Sequence, residues 1–233
     1  MPESRQLACL DALGIDVYVR RGLPGAALPP AVAPAVEAAL DWGPLSETVA
    51  SCTRCELHAS RTQAVFGVGS RTATWMFIGE APGAEEDKRG EPFVGRAGQL
   101  LTAMLSAAGL RREDVYIANM LKCRPPDNRD PKPAETLACR GYLERQVELV
   151  NPVLIVAVGR IAAQNLLATD TPLARLRGRV HTLGPGARPV IVTYHPAYLL
   201  RSPSEKRKAW QDLLQARKVF DRLQAERAGG GAA

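Results

Sequence analysis

ATWMFIGEAPGAEED, Ala73 to Asp87, decides how the rest of the chain is read. An apolar run without alternation, Trp75 to Ile78, stops at Gly79, and a loop carrying Pro82 and Gly83 follows. A short unbroken apolar run bounded by Gly and Pro reads as a strand buried on both faces, the kind found inside parallel sheets. Four acids, Glu80, Glu85, Glu86 and Asp87, fall within eight residues after it. Glu80 therefore stands at the lip of a core strand, where a carboxylate needs a reason.

The pattern repeats downstream. VGRAGQLLTAMLSAAGL (94–110) has apolar residues at helical spacing, and DVYIANM (114–120) is a second strand. PAETLACRGYLERQVELV (133–150) is a helix with Pro133 near its start and Leu137, Tyr142, Val147 and Leu149 among its apolar positions. PVLIVAVG (152–159) is a third strand, RIAAQNLLA (160–168) a helix and RPVIVTYHPAY (188–198) a fourth strand with its exit. SEKRKAWQDLLQARKVFDRLQ (204–224) closes the chain as an amphipathic helix. Strands alternating with helices give an α/β fold, a mostly parallel four-stranded sheet covered on both faces. Ligands in such sheets bind beyond the carboxyl ends of the strands. Glu80, Asn119, Gly159 and His195 all fall at or just after those ends.

The flanks carry no recognisable chemistry. Residues 1–45 read as an N-terminal extension ending in an Ala/Pro-rich linker, 46–225 as the functional domain, and 226–233 as a disordered tail. The 233 residues hold 30 Lys and Arg against 24 Asp and Glu, an excess compatible with a polyanionic partner. No apolar run approaches the ~20 residues of a membrane span, and the N-terminus, which carries acids and no uninterrupted apolar stretch, does not resemble a secretory leader. A cytoplasmic protein is expected, with its cysteines reduced or bound to metal.

Cys52 and Cys55 form CTRC, while Cys123 and Cys139 are separated by fifteen residues. A CxxC pair turns two thiolates toward one point, and the distant pair would tie the N-terminal segment to the main domain. Zinc and a 4Fe-4S cluster both take four thiolates. A compact second pair would favour zinc; the split second pair suits a larger cluster better. Cys9 reads as an ordinary thiol.

GEAPGAEED (79–87), PFVGRAGQLL (92–101), NMLKCRPPDNRDP (119–131) and TYHPAYLLR (193–201), with the four cysteines, resemble the family 4, iron–sulfur uracil-DNA glycosylases. The likeness runs from about Cys52 to Phe220 with the motifs in order. It implies a three-layer α/β/α sandwich stapled by a 4Fe-4S cluster on Cys52, Cys55, Cys123 and Cys139. It also implies removal of uracil from single- or double-stranded DNA by a monomer acting in base excision repair.

By that resemblance Glu80 lies near the sugar and the attacking water, with Glu86 supporting the loop or approaching the sugar. Gly79, Ala81, Phe93, Asn119 and His195 bind the base: Phe93 stacks on it, and the Asn119 amide reads uracil O4 and N3–H. His195 donates to O2 as a neutral imidazole. Leu199, Leu200 and Arg201 are candidates for a wedge into the duplex. Lys122, Arg124, Arg129, Lys132, Arg160, Arg175, Arg177, Arg179 and Arg201 are candidate phosphate contacts, Arg177 prominent among them. The alternative outcomes are binding without turnover and a covalent trap. A related subgroup uses a His within a basic insert for the trap; His181, in LRGRVHTLG, reads instead as the start of a strand.

Overall fold

The computed structural model describes residues 39–184 and 186–229. Cys9 and most of the expected N-terminal extension lie outside them. The first helix among the described residues, α1 (Trp42–Ala50), already crosses the expected boundary at residue 45. The strands are β1 (Val68–Gly69), β2 (Trp75–Gly79), β3 (Tyr116–Asn119), β4 (Leu154–Val158), β5 (Val180–Leu183) and β6 (Arg188–Thr193). The remaining helices are α2 (Ala84–Arg89), α3 (Arg96–Ala107), α4 (Pro133–Val150), α5 (Arg160–Leu166), α6 (Leu173–Leu176), α7 (Pro196–Arg201) and α8 (Lys206–Gly229).

All six strands form one sheet in the order β1-β3-β2-β4-β6-β5. The inner four are parallel and are the four read from the sequence. The sheet is nonetheless wider than expected, because β1 and β5 pair antiparallel at its two edges. β1 escaped the sequence altogether, while β5 reads there only as a strand start at His181 and is not counted into the sheet, for a physical reason. One is two residues long, and the other alternates exposed and half-buried residues, so neither has the apolar run that marked the interior strands.

β2 and β4 are buried at every position, which explains their lack of alternation. Met76, Ile78, Ile155 and Ala157 face one side and pack with Leu143 and Val147 of α4 and Ala162 of α5. Trp75, Phe77, Leu154 and Val156 face the other and pack with Leu101 and Leu105 of α3 and Leu213 of α8. That is a three-layer α/β/α arrangement. The ends of α4 follow from its residues: Pro133 suits the first turn, Glu135 reaches back to the Lys132 N–H at 2.8 Å, and Asn151 closes the helix in the left-handed conformation. On its surface Leu137 is 55% exposed, so it does not share the core face expected for it. Helix α8 runs to Gly229, so residues 226–229 of the expected tail are helical. Among the described residues no helix is long and apolar enough to cross a membrane.

The chain leaves β2 toward β3 on one side and returns to β4 on the other. The strand order therefore reverses beside β2, and the crevice at that point opens at the carboxyl ends of the strands.

Candidate active site

A cleft of about 680 Å³ occupies that crevice. Glu80, Ala81, Glu86, Phe93, Asn119 and His195 all line it, so four separate stretches of sequence meet there. Gly79 and Asn119 are register partners across β2 and β3. A Cβ at Gly79 would lie 2.5 Å from Asn119 Oδ1 and 2.6 Å from the Phe93 ring, so only glycine lets amide and ring close on the strand end.

Asn119 is 2% exposed, and its Oδ1 is a buried acceptor with no hydrogen-bond partner. An orphan of this kind costs roughly 1–3 kcal/mol, so it marks a position where a ligand donor belongs. Phe93 is held in the left-handed region, at φ 55°, which is rare for a bulky side chain. Two contacts hold it there. The Val94 and Gly95 N–H groups donate to Glu86 Oε1 at 2.9 and 3.0 Å. Gly98 of α3 passes so close that a Cβ on it would fall 1.8 Å from the Phe93 carbonyl oxygen. Glu86 is thereby occupied as the anchor of the aromatic loop. Asp87 has a similar duty, since its buried carboxylate accepts the Thr62 N–H.

His195 begins α7, and its Nδ1 accepts the Ala197 N–H at 3.1 Å. That bond places the ring proton on Nε2. Burial, reinforced by Arg201, holds the imidazole at about 4, so it is neutral near pH 7. The Phe93 and His195 ring centroids are 5.5 Å apart. Glu80 is half-buried, and burial first, then the charge of Asp130, raise its carboxyl to about 7 against the opposing charge of Arg160.

Not every expected contact survives. Leu199 is 1% exposed and belongs to the core, leaving Leu200 and Arg201, with Tyr198, as the exposed residues of α7. Arg177 is not free for a phosphate: its Nε and Nη2 donate to buried Asp212 at 2.7 and 2.9 Å, and its guanidinium lies 4.2 Å from the Tyr194 ring centre. Lys122 is 1% exposed, with Nζ on Asn119 O, Phe66 O and Gln146 Oε1. Both were read as surface cations because position in sequence does not reveal a buried partner. Asp130 and Tyr194 also line the cleft and were not singled out. Tyr194 directly precedes His195, a signal that was available.

The four cysteines come together away from the cleft. Cys52, Cys55, Cys123 and Cys139 line one small cavity beside α1 and α4. Arg61 donates to Cys123 Sγ at 3.0 Å and the Lys122 N–H to Cys139 Sγ at 3.3 Å, the bonds that favour metal-bound sulfur. Burial pushes the Cys139 thiol up to about 12, so thiolates in this corner require nearby positive charge. Among the described residues no three Cys, His, Asp or Glu donors are placed to hold a single metal ion. His58 lines the same cavity but turns Nδ1 to the Cys55 carbonyl at 2.7 Å.

The sequence profile of the uracil DNA glycosylase superfamily matches residues 66–214, which spans the sheet and the cleft. The chain belongs to the uracil-DNA glycosylase superfamily. Within it, the chain is 51% identical over 161 residues to a type-4 uracil-DNA glycosylase of Archaeoglobus fulgidus, covering 66% of this chain and 81% of that protein. It is 48% identical over 164 residues to the type-4 enzyme of Thermotoga maritima, covering 70% and 84%. The type-4 enzyme of Sulfurisphaera tokodaii is 41% identical over 182 residues, covering 75% and 83%.

Proposed function

We infer that this superfamily member is a DNA-repair enzyme that hydrolyses the bond between uracil N1 and deoxyribose C1′ and leaves an abasic site. The observation that carries the reading is the buried, partnerless Asn119 Oδ1 in a cleft shared with Phe93, His195 and Glu80. Uracil N3–H supplies the donor that this oxygen lacks, and the amide NH₂ meets O4. Cytosine presents an acceptor at N3 and a donor at C4, the reverse pattern, and leaves the orphan unsatisfied. Phe93 gives the flipped base a stacking face.

Breaking the bond builds negative charge on the base and positive charge on the sugar. His195 Nε2–H, neutral and fixed by its Nδ1 bond, donates to O2 and stabilises the departing anion without surrendering a proton. Ionised Glu80 orients water toward C1′ and offsets the sugar's charge. Glu86 acts through the Phe93 loop. His181 supports hydrolysis over covalent capture: it lies on β5, does not line the cleft, and its Nε2 is bound to the Leu176 carbonyl at 2.8 Å.

Cys52, Cys55, Cys123 and Cys139 would hold a 4Fe-4S cluster. When bound, such a cluster supplies metal–thiolate bonds that cross-link the end of α1, the exit of β3 and α4. Four cysteines lining one cavity, with N–H donors aimed at two of the sulfurs, support a four-thiolate centre, and the split spacing of Cys123 and Cys139 favours a cluster over a single zinc ion. The protein works in this reading as a cytoplasmic monomer on single- or double-stranded uracil-containing DNA. Incubation with uracil-containing single-stranded DNA tests it. Free uracil and an abasic strand are expected. Binding without release, or an adduct that resists denaturation, overturns hydrolysis.

A further inference from the structure

Four arginines stand at or behind the cleft, and their partners differ in kind. Arg129 forks onto Glu135, whose side chain is 4% exposed. Arg177 forks onto Asp212, whose side chain is 3% exposed. Both carboxylates are enclosed, and removing their cation would strand a buried charge, so these arginines are fixed. Arg201 has no ion-pair partner recorded among the described residues. Arg160 is the intermediate case. Its Nη2 donates to Asp130 Oδ2 at 2.6 Å, yet the two side chains are 51% and 66% exposed.

The position of this pair is as informative as its exposure. Arg160 opens α5, directly after the strand-end Gly159, and Asp130 sits on the loop leaving β3. Both line the cleft with Glu80, and the charge of each is felt at Glu80. A carboxylate and a phosphate offer a guanidinium the same paired oxygens. An exposed ion pair contributes little net stability, so exchanging one anion for the other is a small perturbation.

We propose that Asp130 occupies the Arg160 guanidinium in the free protein as a stand-in for a backbone phosphate of the DNA strand, and that binding exchanges the carboxylate for the phosphate. The pair is a built-in competitor that limits affinity for undamaged DNA. This rests on the reading of the protein as a uracil-DNA glycosylase.

The test is a double-mutant cycle. Wild type, Asp130→Asn, Arg160→Gln and the double variant are titrated with a fluorescein-labelled, uracil-free single strand at several salt concentrations. Asp130→Asn should tighten binding about three- to tenfold. Arg160→Gln should weaken it by a similar factor and lower the slope of log affinity against log salt by about 0.7, one single-strand phosphate contact. In the Arg160→Gln background, Asp130→Asn should change affinity less than twofold. Equal tightening in both backgrounds would mean simple long-range repulsion and overturns the exchange. So does an Asp130→Asn protein that binds no better than wild type. Uracil release by the wild type from a uracil-containing strand, run alongside, separates the two levels: release with an additive cycle defeats only the exchange, whereas no release defeats the parent reading.

Discussion

Replacing Glu80 by Gln should make the protein more stable and less active, and the stability gain should depend on pH. Burial raises the Glu80 carboxyl from the usual 4.5 to about 7, so between those values the folded protein binds a proton that the unfolded chain releases. Stability must then fall as pH rises through that window and level off above it. At about 1.4 kcal/mol per pH unit, a fully enclosed carboxyl shifted this far would forfeit ~3 kcal/mol. Glu80 keeps some contact with solvent, which roughly halves the figure, to about 1–2 kcal/mol. Glutamine has no charge to desolvate, so Glu80→Gln should melt about 2–8 °C above wild type at pH 8 and close to it at pH 4.5. The same variant should lose roughly a hundredfold or more in single-turnover uracil release at saturating enzyme, with DNA affinity retained. Wild-type release should rise with pH to a plateau above about 7. Equal melting differences at both pH values would show that Glu80 is not desolvated. Near wild-type release with intact binding would remove it from the chemistry.

Asn119→Asp should harm discrimination more than rate, because an ionised carboxylate cannot donate to O4; release of uracil against cytosine from matched strands measures it. His195→Asn should slow the single-turnover step through the leaving base while leaving DNA affinity intact. Cys123→Ser should abolish a broad absorbance near ~400 nm and lower the melting temperature; stoichiometric zinc without iron in anaerobically prepared wild type would defeat the cluster. Gly98→Ala should destabilise the protein and cut uracil release together, although Ala in a helix is ordinarily about 1 kcal/mol better than Gly, since the added Cβ meets the Phe93 carbonyl; a melting temperature at or above wild type would refute that account.

The interior of the fold was legible because burial on both faces leaves an unmistakable apolar run, and all four such runs became parallel strands. The edges were legible only in part: His181 reads as a strand start and lies in β5, but β1 and β5 are short or half-exposed and carry no such run. Within the cleft, Glu80, Asn119 and His195 were legible as motif residues at strand ends, and Phe93 as a motif residue in a loop. Their states were not. Nothing in the sequence says that the His195 ring proton sits on Nε2, because that depends on the Ala197 N–H three-dimensionally presented to Nδ1. Charge was the least legible property. Lys122, Arg177 and Arg160 look alike as letters; one is enclosed among three acceptors, one is locked to Asp212, and one is held by an exposed carboxylate.

Local rules are broken at several places in this chain, and the pattern of the breaks locates the function. A carboxyl loses water at Glu80, an amide oxygen is buried without a donor at Asn119, and a bulky aromatic is forced to positive φ at Phe93. Each is unfavourable by roughly 1–3 kcal/mol, and each is stabilised by something that would otherwise be unnecessary. Gly79 and Gly98 give up their side chains to admit the amide and the ring, and Glu86 spends its carboxylate on two backbone N–H groups. Other departures exist, such as the partnerless Trp75 Nε1 at the opposite end of β2 and the left-handed Asp127 and Asn128. Trp75 Nε1 stands alone, and Asp and Asn tolerate the left-handed conformation at little cost, although Asn128 also lines the cleft. Among the described residues, three costly and unrelated violations, at Glu80, Asn119 and Phe93, share one cleft. A fold under selection for stability alone would have relieved them one at a time. Their coincidence is what a preorganised site for a flipped base and a nearby water requires, because the groups must already hold the geometry and desolvation of the reaction before the substrate arrives.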